Sequence, residues 1–293
     1  MKVSIVIRTY NEGKHIGSLL KAIAGQEWNP EDREIVVVDS GSTDGTLQIA
    51  RCFPVKIVHI PKEDFSFGRS LNKGCAATTG DALVFVSGHC IPVAGSWLKD
   101  LVAPLGKNGV VYSYGGQIGN GESYFSECQI FAKYFPADSK IPQEGYFCNN
   151  ANSALLKPVW MSNPFSEELA GLEDMHLAKK LVGLGHKIGY VANAAVYHIH
   201  DESWAQVKRR FEREAIALQD IMPEVHLSFL DFLHYWFSAV SLDLHAAAKT
   251  RVMLGKAGEI ALYRLMQYWG AYRGNHFHRK MSKRRKEAYY YPR

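Results

Sequence analysis

Four short runs near the start of the chain are apolar at consecutive positions rather than alternate ones, and polar stretches follow most of them. They are Val3-Ser-Ile-Val-Ile7, Glu34-Ile-Val-Val-Val-Asp39, Val55–Ile60 and Ala82–Ser87. A strand that is apolar toward both faces must be covered on both, as in a parallel sheet with helices on each side. The intervening sequence agrees. Ile16, Leu19, Leu20, Ile23 and Ala24 keep the i, i+3, i+4, i+7, i+8 spacing of an amphipathic helix. A second helix is expected to open at Ser42/Thr43, near Asp44. A third is expected over Arg69–Thr79, ended by Gly80. The expected fold class is therefore α/β, a mostly parallel sheet flanked by helices.

In such sheets the ligand crevice lies beyond the carboxyl ends of the strands. The first strand runs into Arg8-Thr-Tyr-Asn-Glu12, the second into Asp39-Ser-Gly-Ser-Thr-Asp-Gly45 and the fourth into Ser87-Gly-His-Cys90. Asp39 can accept hydrogen bonds from a base or ribose, Gly41 and Gly45 permit a tight turn, and Ser42 and Thr43 can cap a helix. Alone, the second segment reads equally well as a helix-capping turn. Three polar ends in one crevice point to a nucleotide-type ligand. Neither Gly-x-Gly-x-x-Gly nor Walker A spacing is present, so a dinucleotide cofactor or an ATP-driven engine is not indicated.

Beyond this, Val110–Gln117 and Lys187–Ile199 carry strand patterns around an expected helix from Leu172 to Leu184. From Ser203 the pattern turns helical: Ser203 and Gln206 fit a capping box, and Trp204, Val207, Phe211 and Leu218 form a stripe. The chain of 293 residues thus divides into an expected 1–200 domain and a helical 201–293 region. A hydrophobic content of 47% with 22% charged residues excludes a disordered chain.

The net charge of +5 is unevenly placed. Residues 273–293 hold eight Lys/Arg and one acidic residue, which leaves the rest of the chain at −2. Such a body is not coated for nucleic acid, and the basic end points to one local anionic partner. His276–Lys286 followed by Tyr289–Tyr291 reads either as a solvated tail or as a contact for an anionic membrane face. The aromatic residues Phe229, Phe232, Tyr235, Trp236 and Phe237 would join that contact or pack on the body. Five cysteines without Cys-x-x-Cys spacing suggest a reducing compartment. With no signal peptide expected before the first strand, and no run of ~18 apolar residues, a cytoplasmic location, peripheral to the membrane at most, is expected.

Ser4-Ile-Val-Ile-Arg-Thr-Tyr-Asn-Glu12 and Val38-Asp-Ser-Gly-Ser-Thr-Asp-Gly45 resemble the opening of family-2 glycosyltransferases of the GT-A fold. Phe65-Ser-Phe-Gly-Arg-Ser-Leu-Asn-Lys-Gly74, Thr79-Gly-Asp81, Leu83–Pro92, Tyr114-Gly-Gly-Gln117, Leu172-Glu-Asp-Met175 and Val196-Tyr-His198 continue the resemblance in order, closest to the bacterial rhamnosyltransferase-like branch. The resemblance implies an inverting transfer from a nucleotide-sugar donor to a glycan or lipid-linked acceptor in surface polysaccharide synthesis. It implies that Thr9, Glu12 and Asp39 hold base and ribose, with Asn11, Ser42 and Asp44 on the same loops. Arg69 and Asn72 would sit near base or phosphate, with Asp81 bracing the pocket. Gln117 would join the nucleotide-sugar site, and Asn149 and Asn150 would line its donor-sugar and acceptor side. Asp174 would be the general base and Glu173 its neighbour or substitute, although carboxylates there also complement a helix dipole.

The chain departs from the family at one point. His89 stands where an acidic residue usually holds Mg²⁺ or Mn²⁺ on the donor diphosphate. Three readings follow: His89 ligates a metal such as Mn²⁺, since imidazole suits softer ions than Mg²⁺; it donates directly to the diphosphate; or it is structural. His198 matches a family histidine near the metal or diphosphate, and His200 is a weaker candidate. Two other functions stay open. A sugar-phosphate nucleotidyltransferase would need a Gly-rich basic first loop, absent here, and a non-catalytic accessory protein is favoured only by the substitution at His89.

Overall fold

The computed structural model describes residues 1–277 and 289–290. They form two compact units: one comprises residues 1–120, 134–168 and 173–199, the other residues 121–133, 169–172 and those from 200 onward. The basic segment 278–288 lies outside the described residues.

The first unit opens with β1 (Val3–Thr9), α1 (Ile16–Ala24), β2 (Arg33–Asp39), α2 (Thr46–Ala50), β3 (Lys56–His59), α3 (Phe67–Ala76) and β4 (Ala82–Ser87). It continues with β5 (Cys90–Pro92), α4 (Trp97–Val102) and β6 (Val110–Ile118). After α5 (Phe125–Tyr134), most of which belongs to the second unit, come β7 (Asn152–Leu156), α6 (Lys157–Ser162), α7 (Glu173–Gly183) and β8 (Lys187–His198). The eight strands make one sheet in the order β3-β2-β1-β4-β7-β6-β8-β5. The β3-β2-β1-β4 half is parallel, β7 runs antiparallel to β4 and β6, β6 and β8 are parallel, and β5 returns antiparallel to β8.

The apolar runs of β1, β2 and β4 are buried as their two-faced character requires, whereas the edge strand β3 leaves Lys56 and His59 exposed. Ile5 and Ile7 of β1 are fully buried with Leu19, Leu20 and Ile23 of α1, and with Trp97, Leu98 and Leu101 of α4. Each such side chain contributes ~1.5–3 kcal/mol by leaving water. Parallel register sets the strand ends level: Thr9 pairs with Asp39, and Arg8 with Ser87.

Two expected helices start elsewhere. α2 begins at Thr46, not at Ser42/Thr43, because side chains take the N–H groups that a helix would use. Asp39 accepts from Gly41 and Ser42, and Asn11 Oδ1 accepts from Thr43 N. Gly45 then enters the helix at φ +92°, open to glycine at little cost. α3 begins at Phe67, ahead of the expected Arg69, because the Ser66 hydroxyl caps Arg69 N.

The second unit is helical: α8 (Trp204–Ile221), α9 (Phe229–Lys249) and α10 (Met253–Asn275). Gln206 accepts from Ser203 N at 2.8 Å, as the capping-box reading requires. α8 and α10 approach closely at Gly270 and Gly274, where an added Cβ would lie 2.3 Å from the Lys208 and Glu212 carbonyl oxygens. α9 and α10 are joined by a buried two-pronged ion pair, Arg264 to Asp243 at 2.7 and 2.8 Å. No described helix is long and apolar enough to cross a membrane.

Candidate active site

The three polar strand ends meet in the first unit. Asn11 N donates to Ser42 Oγ at 2.9 Å, Glu12 N to Thr46 Oγ1 at 2.8 Å, and Gly13 N to Asp44 Oδ2 at 2.9 Å. The β1 and β2 loops are thereby sewn together. Burial alone would raise the Asp44 pKa, but hydrogen bonds from Thr46 and Gly13 outweigh it and hold the carboxyl below its ordinary value. The β4 loop joins them through Gly88, whose N–H donates to Arg8 O, and through His89 Nδ1, 2.6 Å from Glu12 Oε1. Thr9 Oγ1 is buried there with no hydrogen-bond partner among the described residues.

From His89 the hydrogen bonds continue through most of the remaining candidates. His89 Nε2 lies 3.2 Å from His198 Nε2, the rings being stacked 16° from parallel. His198 Nδ1 lies 2.6 Å from Gln117 Oε1, Gln117 Nε2 donates to Asn149 Oδ1 at 3.0 Å, and Asn149 Oδ1 also accepts from Ala151 N at 3.0 Å. The next residue, Asn150, donates its N–H to Asp174 Oδ2 at 2.7 Å. Asn150 Oδ1 accepts from Tyr112 and Ser153, while its buried Nδ2 has no partner among the described residues.

Glu173 and Asp174 open α7 behind Leu172, which adopts a left-handed conformation at φ 55°. A non-glycine residue there is strained, a feature that gathers at functional sites. Glu173 pairs with Arg8 at 3.0 Å. Asp174 accepts from Asn150 N and Met175 N, yet burial and the neighbouring Glu173 push its pKa up to about 7. A carboxyl poised there accepts a proton far more readily than an exposed aspartate. Burial likewise pushes the thiols of Cys90 and Cys148 well up, so both are neutral side chains rather than nucleophiles.

The ring nitrogens of the two histidines can be assigned. Ala151 N–H makes the Asn149 atom an acceptor, so Gln117 must donate to it and present its oxygen to His198 Nδ1. Glu12 presents an oxygen to His89 Nδ1. Both Nδ1 atoms therefore donate, and in neutral rings both Nε2 atoms are left as acceptors 3.2 Å apart. Two nitrogens sharing one divalent ion at ~2.0–2.1 Å stand roughly 3 Å apart, and each ring here has the outer hydrogen-bond partner typical of a metal-binding histidine. The two imidazoles fit a metal ion by position and donor chemistry, with the neutral Cys90 thiol close by.

Four sequence candidates lie elsewhere or act indirectly. Asp81 does not reach this crevice: it precedes β4, at the amino ends of the parallel strands, and accepts from Lys2 N at 2.8 Å. Its carboxylate braces the far edge of the sheet. Arg69 spends its guanidinium on Glu167 at 2.7 Å, and Asn72 binds Glu167, the Phe165 backbone and Trp160, so both tie α3 to residues 160–167. His200 belongs to a cluster in the second unit. There Arg210 lies 2.9 Å from Glu127 and 2.8 Å from Glu202 and already supplies the positive charge. Glu202, though half-buried, is held down to about 2 chiefly by Arg210.

Sequence reasoning assigned no role to Arg8, Tyr112 or Glu167. Arg8 carried a signal, a charge closing an otherwise apolar strand. Glu167 carried none, because its partners are more than ninety positions away.

The fold and the site define a glycosyltransferase of the GT-A type. The family model "Glycosyl transferase family 2" matches residues 4–155, and the chain belongs to that family. It is 29% identical over 217 residues to the O-antigen chain rhamnosyltransferase RfbN of Salmonella typhimurium, covering 69% of this chain and 67% of the relative. With WbaN of Salmonella anatum, another O-antigen chain rhamnosyltransferase, it is 26% identical over 71% of this chain and 69% of that one. In fold it is similar to the mannosyltransferase PcManGT from Pyrobaculum calidifontis, solved in complex with GDP-Man and Mn²⁺: TM-score 0.63, 19% identity, 94% of this chain and 84% of that one. Staphylococcus aureus TarS 1–349 in complex with UDP-GlcNAc gives a TM-score of 0.54 at 18% identity, over 97% and 95% of the two chains.

Proposed function

We propose that this glycosyltransferase moves a sugar, with inversion, from a nucleotide-sugar donor to a glycan or lipid-linked acceptor in the synthesis of a bacterial surface polysaccharide, rhamnose being the sugar named in its relatives. The observation that carries the reading is the buried Asp174 carboxyl, poised at about 7 and joined through Asn150, Asn149 and Gln117 to the facing histidines.

In this reading residues 1–200 hold the chemistry. Asp39, Thr9, Asn11, Glu12, Ser42 and Asp44 form the base and ribose side, and the orphaned Thr9 hydroxyl supports a polar ligand there. Asn149 and Asn150 face the sugar, and the unpartnered Asn150 amide is a donor for one of its hydroxyls. Asp174 takes the acceptor hydroxyl proton as that oxygen attacks the anomeric carbon, and the nucleoside diphosphate departs from the opposite face. General-base assistance of this kind contributes ~10²–10⁴-fold. His89 and His198 would hold a divalent ion, which supplies positive charge for the leaving diphosphate. Two imidazole donors suit Mn²⁺ or a softer ion better than Mg²⁺.

The test is a thermal-shift panel of nucleotides and nucleotide sugars with Mn²⁺, Mg²⁺ or chelator, followed by transfer assays of Asp174→Asn. Stabilisation by a nucleoside diphosphate that grows with Mn²⁺, and loss of transfer with binding retained in the variant, support the reading. Stabilisation indifferent to metal would favour His89 as a direct contact for the diphosphate in place of the ion. No stabilisation by any nucleotide, or full transfer by the variant, overturns the assignment.

A further inference from the structure

The second unit carries a surface that the transfer chemistry does not use. α9 buries Phe232, Ala239, Asp243 and Ala247 on one side. The opposite side leaves Leu230, Phe237 and Leu242 exposed by 76, 59 and 67%. The aromatic run of the sequence is thereby divided. Phe232 packs against Trp269 and Tyr272, and Trp236 donates to Ala261 O, while Phe229, Tyr235 and Phe237 stay exposed. From Phe232 to Ala248 the sole charged residue is Asp243, and it is buried against Arg264. The polar residues on the outer side are the uncharged Ser238 and Ser241 with His234 and His245.

At its end α9 turns through Arg251, at φ 60°, into Val252, Met253 and Leu254, and Leu254 is 94% exposed. Exposed Lys249 and Arg251 flank this apolar tip. Asp231, at the start of α9, accepts from Ser228 N and Oγ in the helix cap, and Glu259, the next acidic residue after the tip, pairs with Lys256 at 2.7 Å.

We infer that the outer side of α9, together with the Val252–Leu254 tip, docks on an anionic lipid surface. A helix that is apolar along one side, free beyond its cap of acidic residues, Lys and Arg between its exposed apolar residues, and followed by cations lies in the headgroup boundary rather than across the bilayer. Charge selects the occupant. The exposed Lys249 and Arg251 beside the apolar tip complement anionic headgroups. The inference is independent of the transfer chemistry.

The experiment is co-sedimentation of the full chain with vesicles of phosphatidylcholine, with and without phosphatidylglycerol. Binding to the anionic vesicles is expected. The combined variant Leu230→Gln, Phe237→Gln, Leu242→Gln, Leu254→Gln should weaken it at least ~10-fold, since lost burial of several CH₂ groups acts together. Lys249→Gln and Arg251→Gln should each cost roughly fivefold on anionic vesicles and nothing on neutral ones. Far-UV circular dichroism and nucleotide stabilisation should stay unchanged, because all the altered side chains are exposed. Vesicle binding that survives the apolar variant overturns the inference. So does absence of vesicle binding, including the case where light scattering shows a dimer that the variant converts to monomer, which would assign the surface to self-association.

Discussion

Arg8 Nη1 lies 3.0 Å from Glu173 Oε1, setting a cation from the end of β1 against the carboxylate that precedes the candidate base. Glu173 raises the Asp174 pKa, and Arg8 lowers it. Removing the cation leaves the buried acidic pair with less compensation. Arg8→Met should therefore move the rising limb of kcat/KM against pH to higher pH, with Arg8→Lys restoring most of the shift. An equal loss of activity at every pH, with the midpoint unmoved, would make Arg8 a packing residue only.

The wild-type profile follows from Asp174 itself. A base must be ionised to act, so kcat/KM should rise with pH through an apparent pKa of about 7. Stability runs the other way. The native carboxyl is held above its ordinary 3.8, so between about pH 4 and pH 7 the unfolded chain releases a proton that the native chain keeps. Relative to Asp174→Asn, the wild-type protein should lose stability as pH rises across that window and run parallel to the variant outside it. Urea midpoints at four pH values would check this, and parallel curves throughout would contradict it.

Gln117 orients His198 by accepting from its Nδ1. Gln117→Leu removes that anchor without touching Nε2. If both histidines hold a divalent ion, Mn²⁺ affinity measured by paramagnetic resonance should fall ~10–100-fold, the usual effect of losing an outer hydrogen-bond partner. Unchanged Mn²⁺ affinity would place the ion away from His198.

How far the sequence revealed this arrangement depends on the range of the interactions. The strands of the parallel half and the loops at Glu12, Asp39 and His89 were legible because burial on two faces and polar strand ends are local patterns. The meeting of the histidines was legible only as separate motifs: His89 and His198 are 109 positions apart, and the antiparallel β5–β8 pairing puts His198 opposite Cys90. Asp81 misled because a polar residue beside a strand looks the same whether it faces a ligand or braces a neighbouring segment, and the bracing contacts of Arg69 and Asn72 were equally invisible in the sequence. For Arg69 and Asn72 the neighbour is Glu167, and no periodicity links them to it.

That bracing has its own test at Gly68. The first turn of α3 runs so close to the 165–167 segment that an added Cβ would lie 1.9 Å from the Ser166 carbonyl oxygen. The obstruction is backbone, which cannot rotate away as a side chain would, so either α3 or the segment must shift. Forcing extra volume into such a contact costs typically ~1–3 kcal/mol, or about 2–4 °C in Tm per kcal/mol for a protein of this size. Gly68→Ala should therefore lower Tm by several degrees. It should also loosen the Arg69–Glu167 pair, so that adding Glu167→Gln to Gly68→Ala costs less than Glu167→Gln alone. Strictly additive losses would mean that the helix and the segment are held independently.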